Sequence, residues 1–163
     1  MARILIVGGG CRGRSLARSA HEAGDAVRVT TRTEQRRAEI EATGAECYVG
    51  DPDRLATMRA SLDGATVLCW LMGSAHGTEE QLAALHSTRL EFFLTQAIDT
   101  TVRGVVYECA GARRDLLADG ATRARAILER NAIPAAYLDA PPAEHAVWLA
   151  GARAAVDGLL GRG

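Results

Sequence analysis

Six short apolar runs, at residues 3–7, 26–31, 46–49, 66–72, 104–109 and 135–138, alternate without a break with longer amphipathic segments. Branched side chains dominate the runs. Most are apolar at successive positions rather than at every second one, the pattern of strands covered on both faces. Apolar residues at helical spacing mark the segments between them, at 12–23, 34–43, 52–62, 79–98, 113–131 and 143–160. Gly24, Gly44 and Gly64 each follow a helical segment and precede a strand, where a left-handed residue closes the helix. Asp51-Pro52 and Pro141-Pro142 stand where helices start. Six βα units in this order predict a single α/β domain over residues 1–163. Its parallel sheet is doubly wound, six-stranded and covered by helices on both faces. Right-handed crossovers make 3-2-1-4-5-6 the economical strand order.

Composition narrows the chemistry. The chain has 163 residues, 48% hydrophobic and 24% charged, with a net charge of −1, which argues against a protein built around nucleic acid or an anionic membrane. All 19 basic residues are arginine. Without lysine there is no Schiff-base amine, no P-loop lysine and no Tyr-x-x-x-Lys pair. Cys11, Cys47, Cys69 and Cys109 are too scattered for a disulfide framework or a zinc site and predict reduced, mostly buried thiols in a cytoplasmic protein. The apolar run at 4–7 is too short for a signal segment, and the longest apolar stretch, 67–72, is far below membrane-spanning length.

The strongest local signal follows the first run. Gly8, Gly10 and Gly13 form G-x-G-x-x-G between a predicted strand and a predicted helix, the context of a Rossmann-type dinucleotide site. Gly8 makes the tight turn, Gly10 lets a pyrophosphate approach the backbone, and Gly13 lets the helix close on the strand. Cys11 and Arg12 complete the turn, where unpaired amides and a partial positive charge favour phosphate. An NAD site usually carries an acid at the end of the second strand. Here Thr31, Arg32 and Thr33 stand there, a set suited to a 2′-phosphate, with Arg12 and Arg14 expected to reach the same side. NADP is therefore expected over NAD. Asp51 is read either as an acceptor for the adenine amino group or as a helix cap, and Met72 and Gly73 lie on the path of the cofactor's second half.

These pieces, with Asp53 and a helix-to-strand stretch at 126–142, resemble the atypical short-chain dehydrogenase/reductase family, especially its NmrA-like and NAD(P)-binding epimerase-like branches. The resemblance implies a dinucleotide cofactor, a small-molecule substrate and, in many members, a homodimer. The departures limit it. The family's Tyr-x-x-x-Lys would fall near residues 119–125, where there is neither Tyr nor Lys, and Glu108-Cys109-Ala110 replaces its serine. The substrate-binding extension of larger members is expected to be missing. Hydride transfer using a tyrosine acid is excluded.

Two functions stay open: an NADP(H)-dependent oxidoreductase acting on a small carbonyl, flavin or quinone-like substrate, and a non-catalytic NmrA-like redox sensor. A methyltransferase turn is disfavoured, because the acid such enzymes place after the second strand is absent. His76, in the loop 73–78, is the candidate general acid, and Glu108 the candidate for orienting substrate. Cys109 reads as a small buried residue, His21 and His86 as helix-surface residues, and no spacing suggests a metal. The apolar residues of 79–98 and 143–160 exceed one stripe, leaving room for a homodimer contact.

Overall fold

The computed structural model describes residues 2–162. Its strands are β1 (Arg3–Gly8), β2 (Ala26–Thr31), β3 (Glu46–Val49), β4 (Val67–Leu71), β5 (Gly104–Glu108) and β6 (Ala135–Leu138). All neighbours pair in parallel, in the order β3-β2-β1-β4-β5-β6. The order reverses between β1 and β4, which places a ligand crevice outside their carboxyl ends. The expected doubly wound α/β sheet is present.

The helices are α1 (Gly10–Glu22), α2 (Arg37–Glu41), α3 (Glu79–Leu85), α4 (Thr88–Ile98), α5 (Arg114–Arg130) and α6 (His145–Leu159). Leu16, Ala17 and Ala20 of α1, Ile40 of α2, and Trp148, Ala152 and Val156 of α6 cover one sheet face. Leu85, Leu90, Phe93, Leu94, Ala97, Ala124 and Leu128, from α3 to α5, cover the other. All five residues of β4 are buried, as its unbroken apolar run requires. Gly24, Gly44 and Gly64 adopt φ of +96°, +92° and +71°, the expected left-handed closures.

Three predicted helices differ. Residues 34–43 form a 3-10 turn, Glu34–Arg36, leading into the short α2. Residues 52–62 form two 3-10 turns, Leu55–Thr57 and Arg59–Leu62, instead of an α-helix. Side chains take the backbone groups an α-helix would use: Tyr48 donates its hydroxyl to the Thr57 carbonyl at 2.6 Å, and Arg28 donates to the Ser61 and Asp63 carbonyls at 2.7 and 2.9 Å. The stretch 79–98 breaks at His86–Ser87. Ser87 returns its hydroxyl to the Ala83 carbonyl at 2.7 Å, and His86 turns into the core, 3% exposed, with Nδ1 2.7 Å from the Tyr107 hydroxyl. His86 is thus a buried residue and not the helix-surface residue expected. Burial holds its imidazole below the ordinary pKa, and pushes the Tyr107 phenol up.

Cys47 and Cys69 are buried, Cys109 is half-buried and Cys11 is exposed, all as free thiols. Burial raises the Cys69 thiol to about 12. Among the described residues, no helix is long and apolar enough to cross a membrane.

Candidate functional site

The crevice at the β1/β4 switch point is a cavity of about 670 Å³. One end is the glycine turn. Gly8, Gly9 and Gly10 take φ of +82°, +86° and +53°, three successive left-handed residues that only glycine adopts readily. A Cβ on Gly8 would lie 2.6 Å from the Leu71 carbonyl oxygen, and one on Gly13 2.7 Å from the Gly8 oxygen. These two glycines pack strand, turn and helix together. A Cβ on Gly10 would meet no protein atom within 4 Å. Gly10 therefore faces the open cavity, the place a pyrophosphate needs.

Helix α1 starts at Gly10, its cap Gly9 offers no side chain to the first-turn amides, and no acid stands in that turn. Those amides keep their hydrogen-bonding capacity and their partial positive charge. Cys11 lies exposed on the same wall.

The opposite end lies beyond β2, where Thr31, Arg32, Arg36 and, from α1, Arg14 line the wall. Each arginine is paired at the rim: Arg14 to Glu39 at 3.3 Å, Arg36 to Glu39 at 3.1 Å, and Arg32 to Asp51 and Asp53 at 3.7 and 3.4 Å. Arg36 escaped the sequence reading; it lies in the 3-10 turn after β2 and lines the same cavity as Arg32. Asp51 caps no α-helix, since none follows it directly; it closes a turn, accepting the Asp53 amide at 2.9 Å, and it holds Arg32.

Arg12 departs from expectation. Instead of joining Arg32 it turns toward the other side, donating from Nη2 to the Ser74 hydroxyl and lying 5.9 Å from the centre of the Trp148 ring. The chain supplies these partners from the β4–α3 loop and from α6, neither of which adjacency in sequence suggests.

Met72 and His76 line the cavity, Met72 buried and His76 exposed. Gly73 and Glu108 do not. The Gly73 amide points inward, donating to Glu108 Oε1 at 2.7 Å, and Trp148 Nε1 donates to Oε2 at 2.7 Å. Glu108 is 1% exposed. Burial raises its carboxyl pKa, against the lowering effects of the Trp148 and Gly73 bonds and of the Arg12 charge. The expected substrate-facing acid is thus a buried tie between β4, β5 and α6. Cys109 sits half-buried beside it, its Sγ 3.3 Å from the Leu138 carbonyl oxygen. Among the described residues, no group of three His, Cys, Asp or Glu side chains could hold a metal ion.

No family model and no curated protein matches the chain. Solved structures do. Vestitone reductase from alfalfa (Medicago sativa) superposes with a TM-score of 0.66 at 13% identity, over 86% of this chain and 56% of its own. This is the reductases' Rossmann fold. Triphenylmethane reductase from Citrobacter sp., complexed with NADP(H), gives 0.63 at 17% identity, over 85% and 49%. A Bacillus halodurans protein provisionally described as an NAD-dependent epimerase/dehydratase gives 0.73 at 16% identity, over 86% and 71%. The chain spans about half the length of the two reductases.

Proposed function

We propose that this chain binds NADP(H) and uses it as an oxidoreductase on a small carbonyl, flavin or quinone-like acceptor, without a tyrosine–lysine pair. The observation that carries the reading is the left-handed Gly8-Gly9-Gly10 turn opening into a cavity whose far end holds Arg14, Arg32 and Arg36. The first-turn amides of α1 would hold the diphosphate. The three guanidiniums would hold a 2′-phosphate, which NAD lacks, so NAD ranks second. The NADP(H) complex of triphenylmethane reductase, which shares the fold, supports the same cofactor. Bound there, the cofactor supplies a hydride. His76, on the wall beside Met72, would deliver the proton, Thr31 and Asp51 would border the adenosine, and Glu108 and Gly73 would hold the second loop in place.

The reading carries with it one domain over residues 1–163, a cytoplasmic location and no nucleic-acid partner. A homodimer would use the exposed Phe92 of α4 or Val147 of α6.

Calorimetric titration with NADPH and NADH side by side tests the proposal. At least a tenfold preference for NADPH, about 1.4 kcal/mol, is expected, falling severalfold when Arg32 and Arg36 are both replaced by alanine. Equal affinities would remove the 2′-phosphate assignment, and binding of neither would remove the cofactor. A second reading, a non-catalytic dinucleotide-binding regulatory module, is favoured by one observation: the one carboxylate at the end of β5 is buried with both oxygens engaged. Tight NADPH binding with no turnover across a broad acceptor panel would decide for it.

A further inference from the structure

A doubly wound sheet offers two mononucleotide-binding halves on either side of the switch point. In this chain they are walled differently. Every described residue that lines the cavity lies between Gly8 and His76, and none of residues 77–162 contributes to it. Across the line where the second half would continue stands Arg12. Its Nη2 is docked on the Ser74 hydroxyl and its guanidinium lies over Trp148, joining the glycine turn to the β4–α3 loop.

What lies behind this bridge is closely packed. Trp148 is fully buried and bonded to the buried Glu108, which in turn holds the Gly73 amide. Gly73 and Gly111 approach so closely that a Cβ on Gly111 would sit 2.1 Å from the Gly73 carbonyl oxygen. The loops after β4 and β5 are thereby pressed against each other. Arg12 Nε is itself buried without a hydrogen-bond partner.

We propose that Arg12 ends the ligand site. The walled part accepts a 2′-phosphorylated adenosine diphosphate, and the nicotinamide ring beyond it receives no wall from residues 77–162. This inference rests on the NADP(H) reading and narrows it: binding is governed by the phosphoadenosine portion and is blind to the redox state of the ring.

The test is calorimetric titration of the full chain with NADPH, NADP+ and 2′-phospho-ADP-ribose, which is the same molecule without nicotinamide. All three are expected to bind within about threefold of one another. Binding of NADPH or NADP+ tenfold or more above the ribose analogue would show a held nicotinamide and overturn the proposal while leaving the cofactor assignment intact. Failure of all three to bind would remove the NADP(H) reading and the proposal together. In Arg12→Ala the wall is gone, and NADPH is expected to gain threefold or more over the ribose analogue. Unchanged ratios in a variant with wild-type circular dichroism would overturn the role assigned to Arg12.

Discussion

The halves of the sheet on either side of the switch point use glycine and polar side chains in opposite ways. Around β1 and β2, three successive left-handed glycines leave backbone facing a cavity, and arginines stand at its rim with partly exposed partners. Around β4 and β5, Gly73 and Gly111 exist so that two loops can touch, and the polar groups are buried in pairs: Glu108 with Trp148, His86 with Tyr107. Residue type alone therefore does not separate a site from a scaffold. Glycine in one half admits a ligand; glycine in the other admits a neighbouring loop.

Adding one methyl group on each side separates the two uses of glycine most strongly. Gly111→Ala puts a Cβ against the Gly73 carbonyl oxygen, where only backbone can yield. A loss of about 3 kcal/mol in urea unfolding is expected, the upper range for overpacking. Gly10→Ala meets no atom, so only its φ of +53° resists, at about 1 kcal/mol. Its effect should fall on NADPH affinity, tenfold or more. Equal stability losses in the two variants would erase the distinction between the halves.

Trp148→Phe probes the buried tie. It removes the donor to Glu108 Oε2 and leaves a buried carboxylate oxygen unpaired, at about 2 kcal/mol. The sign of its pH dependence follows from burial. Glu108 has a folded pKa above its ordinary 4.5, so the folded state holds the proton longer than the unfolded state does, and stability falls as pH rises from about 4.5 through the folded value. Loss of the Trp148 bond raises the folded pKa further, so the deficit of Trp148→Phe should be larger at pH 8 than at pH 4.5. A deficit independent of pH would mean that the tryptophan contributes packing alone.

His86 gives the opposite slope. Burial depresses its folded pKa below 6.5, so the unfolded state takes the proton first and stability falls as pH drops from about 6.5 toward the folded value. His86→Asn, which cannot protonate, should show a shallower decline in Tm between pH 7.5 and 5.5 than the parent. An equal decline would assign the pH dependence to other groups.

Much of the first half was legible in the sequence because its determinants are local. The turn at Gly8, Gly10 and Gly13 is read within six residues, and the arginine after β2 from its place directly behind that strand. Thr31, Arg32 and Met72 do line the crevice; Asp51 does not line it and, with Asp53, holds Arg32 from behind. The second half was not, because each of its polar residues is defined by a partner far away along the chain. Glu108 meets Trp148 forty residues later and Gly73 thirty-five earlier, and Arg12 meets Ser74 sixty-two residues on. No periodicity carries that information. The two 3-10 turns were lost for the same reason: Arg28 captures carbonyls thirty-three and thirty-five residues away, beyond any local propensity.

A subtler contrast lies in how the chain turns back into its strands. Before β2, β3 and β4 it does so through a left-handed glycine, at Gly24, Gly44 and Gly64. After α5 the same conformation falls on Ala132, with φ of +55°, the one non-glycine residue with positive φ among those described. An alanine Cβ resists that region, whereas glycine enters it without steric penalty but brings a more flexible unfolded chain. The two effects oppose each other, and the steric one is larger where the conformation is held on both sides. It is held here: the Ala132 amide donates to the Glu129 carbonyl at 3.1 Å and the Ile133 amide to the Leu128 carbonyl at 2.9 Å. Ala132→Gly should therefore stabilise the chain by about 0.5–1 kcal/mol in urea unfolding, with NADPH affinity unchanged. A destabilised variant would mean that unfolded-state entropy outweighs the strain, and that the alanine closure is as good as the glycine closures before β2, β3 and β4.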